Sequence, residues 1–271
     1  MSEFLKNTPI ANMTGAYDVA GKNVVVTGGN RGIGLGISTA FAQSGANVVV
    51  LCRNYESGKA VIDGFAQYGK RYDCYQCDIS DLESVKAAAK KVFEFYDHVD
   101  VLVNNAGIAT TTDFLDAEKG LSEWHRIINT NLHGVANVVS EIAPGMKAAG
   151  KGGTIINISS VGALRVSGSK EHHNSPYNAS KAGVDIFSRY LALTLGDYGI
   201  RVNSIQPGPI HSDLDKDLPP SFIKQIEEDL PSHRFGEPIE VGAFCVYLSS
   251  PAGAMITGAN IPFDGGLLTV N

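Results

Sequence analysis

A regular exchange of short β-branched runs with longer amphipathic stretches, carried from residue 23 almost to the end of the chain, restricts the fold more than any other feature. Continuous or alternating apolar runs of about five residues read as strands, whereas apolar residues returning every three or four positions mark one face of a helix. Strands are expected at Asn23–Thr27, Ala46–Leu51, Tyr72–Cys77, Val99–Val103, Thr154–Ser159 and Arg201–Gln206, with a short seventh near Asn260–Pro262. Helices are expected at Gly32–Ser44, Tyr55–Tyr68, Leu82–Tyr96, Ser122–Ala148, Tyr177–Asp197 and Ile239–Leu248. Runs such as Val99–Val103 are apolar throughout and need cover on both faces, which the helices of repeated βαβ units supply. The reading is an α/β, doubly wound parallel sheet of about seven strands with helices on both faces.

The 271 residues contain no repeat and no Gly/Ser linker, so a single domain is expected over 19–271, preceded by an N-terminal arm, 1–18. The segment 209–238, with Pro219-Pro220 and Pro231, breaks the alternation and reads either as a substrate lid or as a surface excursion. A net charge of -6 argues against a nucleic-acid partner. No apolar stretch reaches the roughly 20 residues that span a bilayer, and Met1 to Ala20 lacks a secretory layout, so no membrane role and a cytoplasmic location are expected. Cys74 and Cys77 form a CxxC, but no second ligand pair accompanies them, and they read as buried thiols.

Two motifs carry chemistry. The strand Asn23–Thr27 runs into Gly28-Gly29-Asn30-Arg31-Gly32-Ile33-Gly34 and then into a helix. Glycines at such a junction permit a tight turn and let a pyrophosphate approach the free N–H groups and positive dipole end of the helix. Tyr177 and Lys181 lie four apart on an expected helix and therefore share one face. An ammonium beside a phenol favours the phenolate, lowering the tyrosine pKa below its reference of about 10 and making it an acid/base near neutrality. The same spacing also suits a solvated helix face.

The series Thr27-Gly28-x-x-x-Gly32-x-Gly34, Asn104-Asn105-Ala106-Gly107, Asn131, Ser160, Tyr177-x-x-x-Lys181 and Pro207-Gly208 resembles the short-chain dehydrogenase/reductase family, over about Gly21 to Gly266. The resemblance implies a Rossmann-type sheet in the order 3-2-1-4-5-6-7. It implies Tyr177 as proton donor or acceptor, Lys181 on the nicotinamide ribose, Ser160 on the substrate oxygen and Asn131 on a proton-relay water. Of the adjacent pair Ser159 and Ser160 only one can face the site, and Ser160 aligns with the family's serine. For the cofactor it implies Gly28, Asn30, Arg31, Gly32, Ile33 and Gly34 at the turn. Arg53, Asn54, Asp78, Ile79, Asn104, Ala106 and Gly107 follow along the cleft. Tyr177, Lys181, Pro207, Gly208, Ile210 and Ser212 stand at the nicotinamide end. The gap from Ser160 to Tyr177 is longer than usual in the family and contains His172 and His173, which have no third ligand beside them, so no metal is expected.

An acidic residue at the end of the second strand would hold a ribose 2′-hydroxyl and repel a 2′-phosphate. This chain has Cys52 there, with Arg53 beside it and Arg31 in the glycine turn, which favours NADP(H). The expected reaction is NADP(H)-dependent reduction of a ketone to a secondary alcohol, and its reverse. Tyr177 to Val184 and the Gly29-Asn30-Arg31 turn are similar to the sorbose reductase, mannitol dehydrogenase and xylulose reductase group, which points to a ketose or polyol, with polar contacts from His211 and the lid. Hydroxysteroid and 3-oxoacyl thioester substrates remain open. A non-catalytic NADP(H)-sensing regulator is the alternative of another class, though such a protein has no need of the whole Asn131, Ser160, Tyr177 and Lys181 set. Apolar residues around more than one stripe, among them Ile127, Ile128, Val135, Val138 and Val139, together with the resemblance, suggest a homotetramer or homodimer.

Overall fold

The computed structural model describes residues 10, 12–166, 174–212 and 219–270. Seven strands, β1 (Asn23–Thr27), β2 (Asn47–Cys52), β3 (Tyr72–Gln76), β4 (Val101–Asn104), β5 (Gly153–Ile158), β6 (Ile200–Pro207) and β7 (Asn260–Phe263), form one sheet in the order β3-β2-β1-β4-β5-β6-β7. Every neighbouring pair is parallel. This is the Rossmann-type arrangement. Among the described residues eight α-helices accompany the strands: α1 (Gly32–Gln43), α2 (Tyr55–Phe65), α3 (Leu82–Phe95), α4 (Gly120–Ile128), α5 (Gly134–Ala149), α6 (Ser175–Leu195), α7 (Pro220–Asp229) and α8 (Pro238–Ser249).

The period-two geometry of a strand sorts its side chains into two cores. Val25, Leu102, Ile155 and Val202 meet one apolar cluster with residues of α3, α5 and α6. Val24, Val26, Val101, Val103, Ile156 and Ile205 meet the other with residues of α1, α2 and α8. Val135, Val138 and Val139 lie buried in the first cluster and Ile127 is fully buried as well, which corrects their reading as surplus surface for another subunit. The sequence shows how apolar a helix is, but not how many faces its own sheet and neighbours will cover.

Against the second core, α1 and α8 cross at backbone contact. A Cβ on Gly36 would stand 2.2 Å from the Pro238 carbonyl carbon, and one on Gly242 would stand 2.5 Å from the Gly36 oxygen. Both obstacles are main chain and cannot rotate away. Gly36→Ala is therefore expected to push the helices apart at a cost of about 1–3 kcal/mol. Thermal unfolding followed by circular dichroism should record a midpoint several degrees lower, and an unchanged midpoint would contradict the close crossing.

The expected helix Ser122–Ala148 is divided. α4 passes through a π-helical turn, Asn129–His133, into α5. No proline or glycine breaks the apolar pattern within Asn129–His133, so the sequence carries no sign of this inserted turn. The second difference is α7, in the segment read as irregular. Pro220, at its first turn, needs no N–H there and presets the helical φ. Residues 12–18 of the arm turn back onto the chain itself: Ala16 is buried, its carbonyl accepts from Ala252 N at 2.8 Å, and the Tyr17 ring lies 6.3 Å from that of Tyr247. No described helix is long and apolar enough to cross a membrane.

Candidate active site

Strand order reverses between β1 and β4, and the crevice beyond the carboxyl ends of those strands is where a sheet of this kind leaves room for a ligand. A cleft of about 910 Å³ opens there. Its floor begins at the glycine turn. Gly28 has φ +64 and Gly32 φ +49, left-handed conformations that only glycine adopts cheaply. A Cβ on Gly34 would fall 2.1 Å from the Gly28 oxygen, so the third glycine lets α1 start directly on the turn. Thr27 and Asn105 lock this geometry. Thr27 Oγ1 accepts from the backbone N–H of Asn105 at 3.0 Å and of Ala106 at 3.1 Å, while Asn105 Nδ2 donates to the Thr27 oxygen at 3.0 Å.

Arg31 is the N-cap of α1 and supplies no side-chain cap. The first-turn N–H groups of α1 are thus free to meet an anion over a surface cleared of side chains at Gly32, whose added Cβ would meet nothing nearer than Ser212 Cβ at 3.8 Å. This cradle fits the pyrophosphate of a dinucleotide.

At the far end of the cleft stand Ser160, Tyr177 and Lys181. β5 delivers Ser159 and Ser160 on opposite sides. Ser159 Oγ turns back to donate to the Lys181 carbonyl at 3.1 Å, whereas Ser160 Oγ accepts from Gly162 N at 3.0 Å and hydrogen-bonds the Tyr177 phenol. Lys181 Nζ donates to the Ile158 oxygen at 2.7 Å and lies 5.6 Å from the centre of the Tyr177 ring. Burial pushes the Tyr177 phenol above its ordinary value, and the bond from Ser160 only partly opposes this. That reverses the sequence expectation of a lowered tyrosine pKa. Lys181 is itself brought down to about 8 by burial, and the charge that was to draw a proton from the phenol sits in the same water-poor floor. At neutral pH the phenol holds its proton and is set up as a donor.

Nearly all the expected residues meet at this cleft: Gly28, Asn30, Arg31, Gly32, Ile33, Gly34, Arg53, Asn54, Asp78, Ile79, Ala106, Gly107, Ser160, Tyr177, Lys181, Pro207, Gly208, Ile210 and Ser212 line it. Two of them lie behind the wall instead. Asn104 is buried at the end of β4, where its Nδ2 donates to Asn157 Oδ1 at 2.8 Å. Asn131 is buried in the π turn; its Oδ1 accepts from Ile108 N at 2.9 Å and its Nδ2 donates to the Ile108 oxygen at 2.8 Å. The Asn131 side chain therefore clamps the loop after β4, and its second N–H donates to Ser180 Oγ at 3.1 Å. His211 also misses the wall, because its ring stacks on Phe235 at 5.0 Å and it is Phe235 that faces the cleft.

Several lining residues were not foreseen. Ser57 accepts from Asn30 Nδ2 at 2.7 Å. Arg126 and Thr130 reach the cleft from α4 and the π turn, with Arg126 held by Glu123 in two contacts of 2.7 Å. Asn174, three residues before Tyr177, has a buried Oδ1 with no hydrogen-bond partner among the described residues. Asn105 could have been found, as the second asparagine of its motif; Arg126 and Asn174 carry no sequence signal. His172 and His173 lie outside the described residues. All four cysteines are free and buried, as read from the sequence.

The family model described as "Enoyl-(Acyl carrier protein) reductase" matches residues 28–268. The 3-oxoacyl-[acyl-carrier-protein] reductase FabG of Chlamydia trachomatis serovar D is 39% identical over 248 residues, covering 91% of this chain and 97% of the relative. The sorbose reductase of Candida albicans is 30% identical over 265 residues, covering 94% and 90%. Among solved structures, a gluconate 5-dehydrogenase from Burkholderia cenocepacia in complex with NADP and tartrate superposes with a TM-score of 0.88 at 30% identity, covering 96% of this chain and all 100% of that one. The glycine turn, the Ser160, Tyr177 and Lys181 floor, the sheet order and these matches agree: the chain belongs to the short-chain dehydrogenase/reductase family, oxidoreductases that interconvert CH–OH and keto groups with a nicotinamide cofactor.

Proposed function

We propose that this protein is an NADP(H)-dependent reductase of ketones to secondary alcohols, working in both directions, and that its substrate is a ketose or polyol. The cofactor reading rests on one observation. Where a carboxylate would accept from a ribose 2′-hydroxyl, the chain has Cys52, a buried thiol bonded to the Asn54 oxygen at 3.1 Å. Arg31 and Arg53 stand beside it at the cleft mouth, and neither has a carboxylate within ion-pair distance among the described residues. Two unspent guanidinium groups suit a 2′-phosphate.

NADPH, when bound, supplies the hydride. The chain's own residues do the rest. Ser160 donates to the carbonyl oxygen and fixes it, Tyr177 gives that oxygen its proton, and Lys181 keeps the phenol and the ribose in place from the floor. Asn131 acts one layer back, by holding the loop at Ile108. The ketose reading draws on the polar wall near Tyr177, where the unpartnered Oδ1 of Asn174 would accept a substrate hydroxyl. The similarity to FabG favours a second reading, reduction of a 3-oxoacyl thioester. We take residues 19–271 as one catalytic domain. Its assembly into a homotetramer or homodimer is supported by an exposed apolar stripe on α6, namely Ile186, Tyr190 and Leu193.

An NADPH-oxidation assay over ketoses, 3-oxoacyl thioesters and steroid ketones, repeated with NADH, tests the whole reading. Turnover is expected with NADPH and a ketose. A thioester as the preferred substrate would replace the ketose, turnover solely with NADH would remove the role given to the arginines, and NADPH binding without turnover of any ketone would favour the regulator.

A further inference from the structure

One helical turn behind Lys181 lies a buried acidic residue that the proposed chemistry does not use. Asp185 lies on α6 one turn beyond Lys181, as Lys181 lies one turn beyond Tyr177, so the three share a helix face. Asp185 is 5% exposed. Both of its oxygens accept hydrogen bonds from β6: Ser204 Oγ donates to Oδ1 at 2.7 Å and Gln206 Nε2 donates to Oδ2 at 2.5 Å. Both carboxyl oxygens are thus met by neutral groups of β6. Among the described residues no lysine, arginine or histidine nitrogen lies within ion-pair distance of it. Burying a carboxylate without an ion-pair partner is costly even when hydrogen bonds offset part of the cost.

We propose that Asp185 is a positioning residue for the reaction: its buried charge, fixed by Ser204 and Gln206, keeps the neighbouring Lys181 an ammonium in a floor that would otherwise strip it of its proton. The surroundings of Lys181 leave this task to Asp185. β5 offers the neutral Ile158 carbonyl, the loop after β4 offers Gly107, and the π turn offers the amide of Asn131. β6 offers Ser204 and Gln206, both neutral, and α6 offers the protonated Tyr177. Asp185 is the charge that opposes the desolvation of Lys181, and with both acting the ammonium titrates at about 8. In low dielectric a charge one helical turn away is felt strongly, because little water screens it.

The inference rests on the reductase reading, so its experiment includes a measurement that does not. In the full-length protein with ε-13C-labelled lysine, the Lys181 resonance, assigned through Lys181→Met, is titrated by NMR without cofactor or substrate. Asp185→Asn keeps the shape while removing the charge: its amide oxygen can still accept from Gln206 Nε2, and its NH2 can donate to Ser204 Oγ, whose own hydrogen then goes to Asn260 Oδ1. Its Lys181 midpoint is expected to fall by about one pH unit. Ser204→Ala, which leaves the charge, should move it little. Reduction of the best ketone found, with NADPH, should then be nearly equal to wild type at pH 6 and about five-fold slower at pH 8, following the lost ammonium fraction. A structural defect would instead lower the rate equally at all pH values.

An unmoved midpoint in Asp185→Asn overturns the proposal whatever the protein's activity. A lowered midpoint with an unchanged pH–rate profile removes the ammonium from the reaction and so counts against the reading of the site itself. Asp185→Ser, smaller and still able to bond Ser204, repeats the test should the asparagine variant fold poorly. Failure of both to fold would overturn the proposal in favour of a purely structural carboxylate.

Discussion

Tyr177→Phe is expected to lower ketone reduction by about a thousand-fold while leaving NADPH affinity within a few-fold of wild type. Positioned proton transfer contributes about 10²- to 10⁴-fold to rate, and no other described group at this end of the cleft can deliver a proton to the same oxygen. Ser160 is committed to orienting it, and Lys181 is turned toward the Ile158 carbonyl. The phenylalanine ring would fill the same space, so the glycine cradle and the arginines at the other end of the cleft are untouched. Stopped assays of NADPH oxidation give the rate, and the quench of protein fluorescence on NADPH addition gives the affinity. A rate within ten-fold of wild type would remove Tyr177 from the mechanism. Loss of rate together with loss of NADPH binding would make it a cofactor contact and nothing more.

The wild-type pH profile follows from the same floor. Burial holds the phenol above its ordinary value, so the donor stays protonated throughout the neutral range and its own ionisation should cause no decline in reduction there. Lys181 is the group that titrates near working pH, at about 8. Its pKa is depressed, so the ammonium is present below that value and disappears above it, and reduction should decline as pH rises through 8.

The sheet and the cleft were legible because their signals are local. Five or six consecutive apolar residues declare a buried parallel strand, and glycines between a strand and a helix declare a phosphate turn wherever they occur. Strand ends moved by no more than two residues, as at β4, which starts at Val101 where Val99 was expected. What could not be read depends on partners distant in sequence. The π turn at Asn129–His133 satisfies Ile108, more than twenty positions earlier, and nothing within the turn announces that obligation. Asn104 belongs to a motif, yet whether its amide meets a ligand or the buried Asn157 depends on the register of β4 against β5. The tyrosine pKa failed for a related reason. Spacing places an ammonium near a phenol, but it cannot state how little water surrounds either, and in this floor desolvation outweighs the charge.

Replacing Arg31 and Arg53 by alanine should raise the Michaelis constant for NADPH by about ten- to a hundred-fold for each change, with kcat little altered. A guanidinium donating to a phosphate makes a charge-assisted, often bidentate contact, and the 2′-phosphate is remote from the reacting carbon, so what is lost is binding common to ground and transition states. Both side chains are exposed, and among the described residues neither has a carboxylate within ion-pair distance, so neither replacement removes a described ion pair. NADH carries no such phosphate, and its Michaelis constant should scarcely change in either variant. The double variant is therefore the sharper measurement, because the ratio of the NADPH and NADH constants cancels any general loosening of the cleft. Unchanged NADPH saturation in the double variant would mean that Cys52 is merely a neutral strand end, and that the two arginines frame the cleft without reading what enters it.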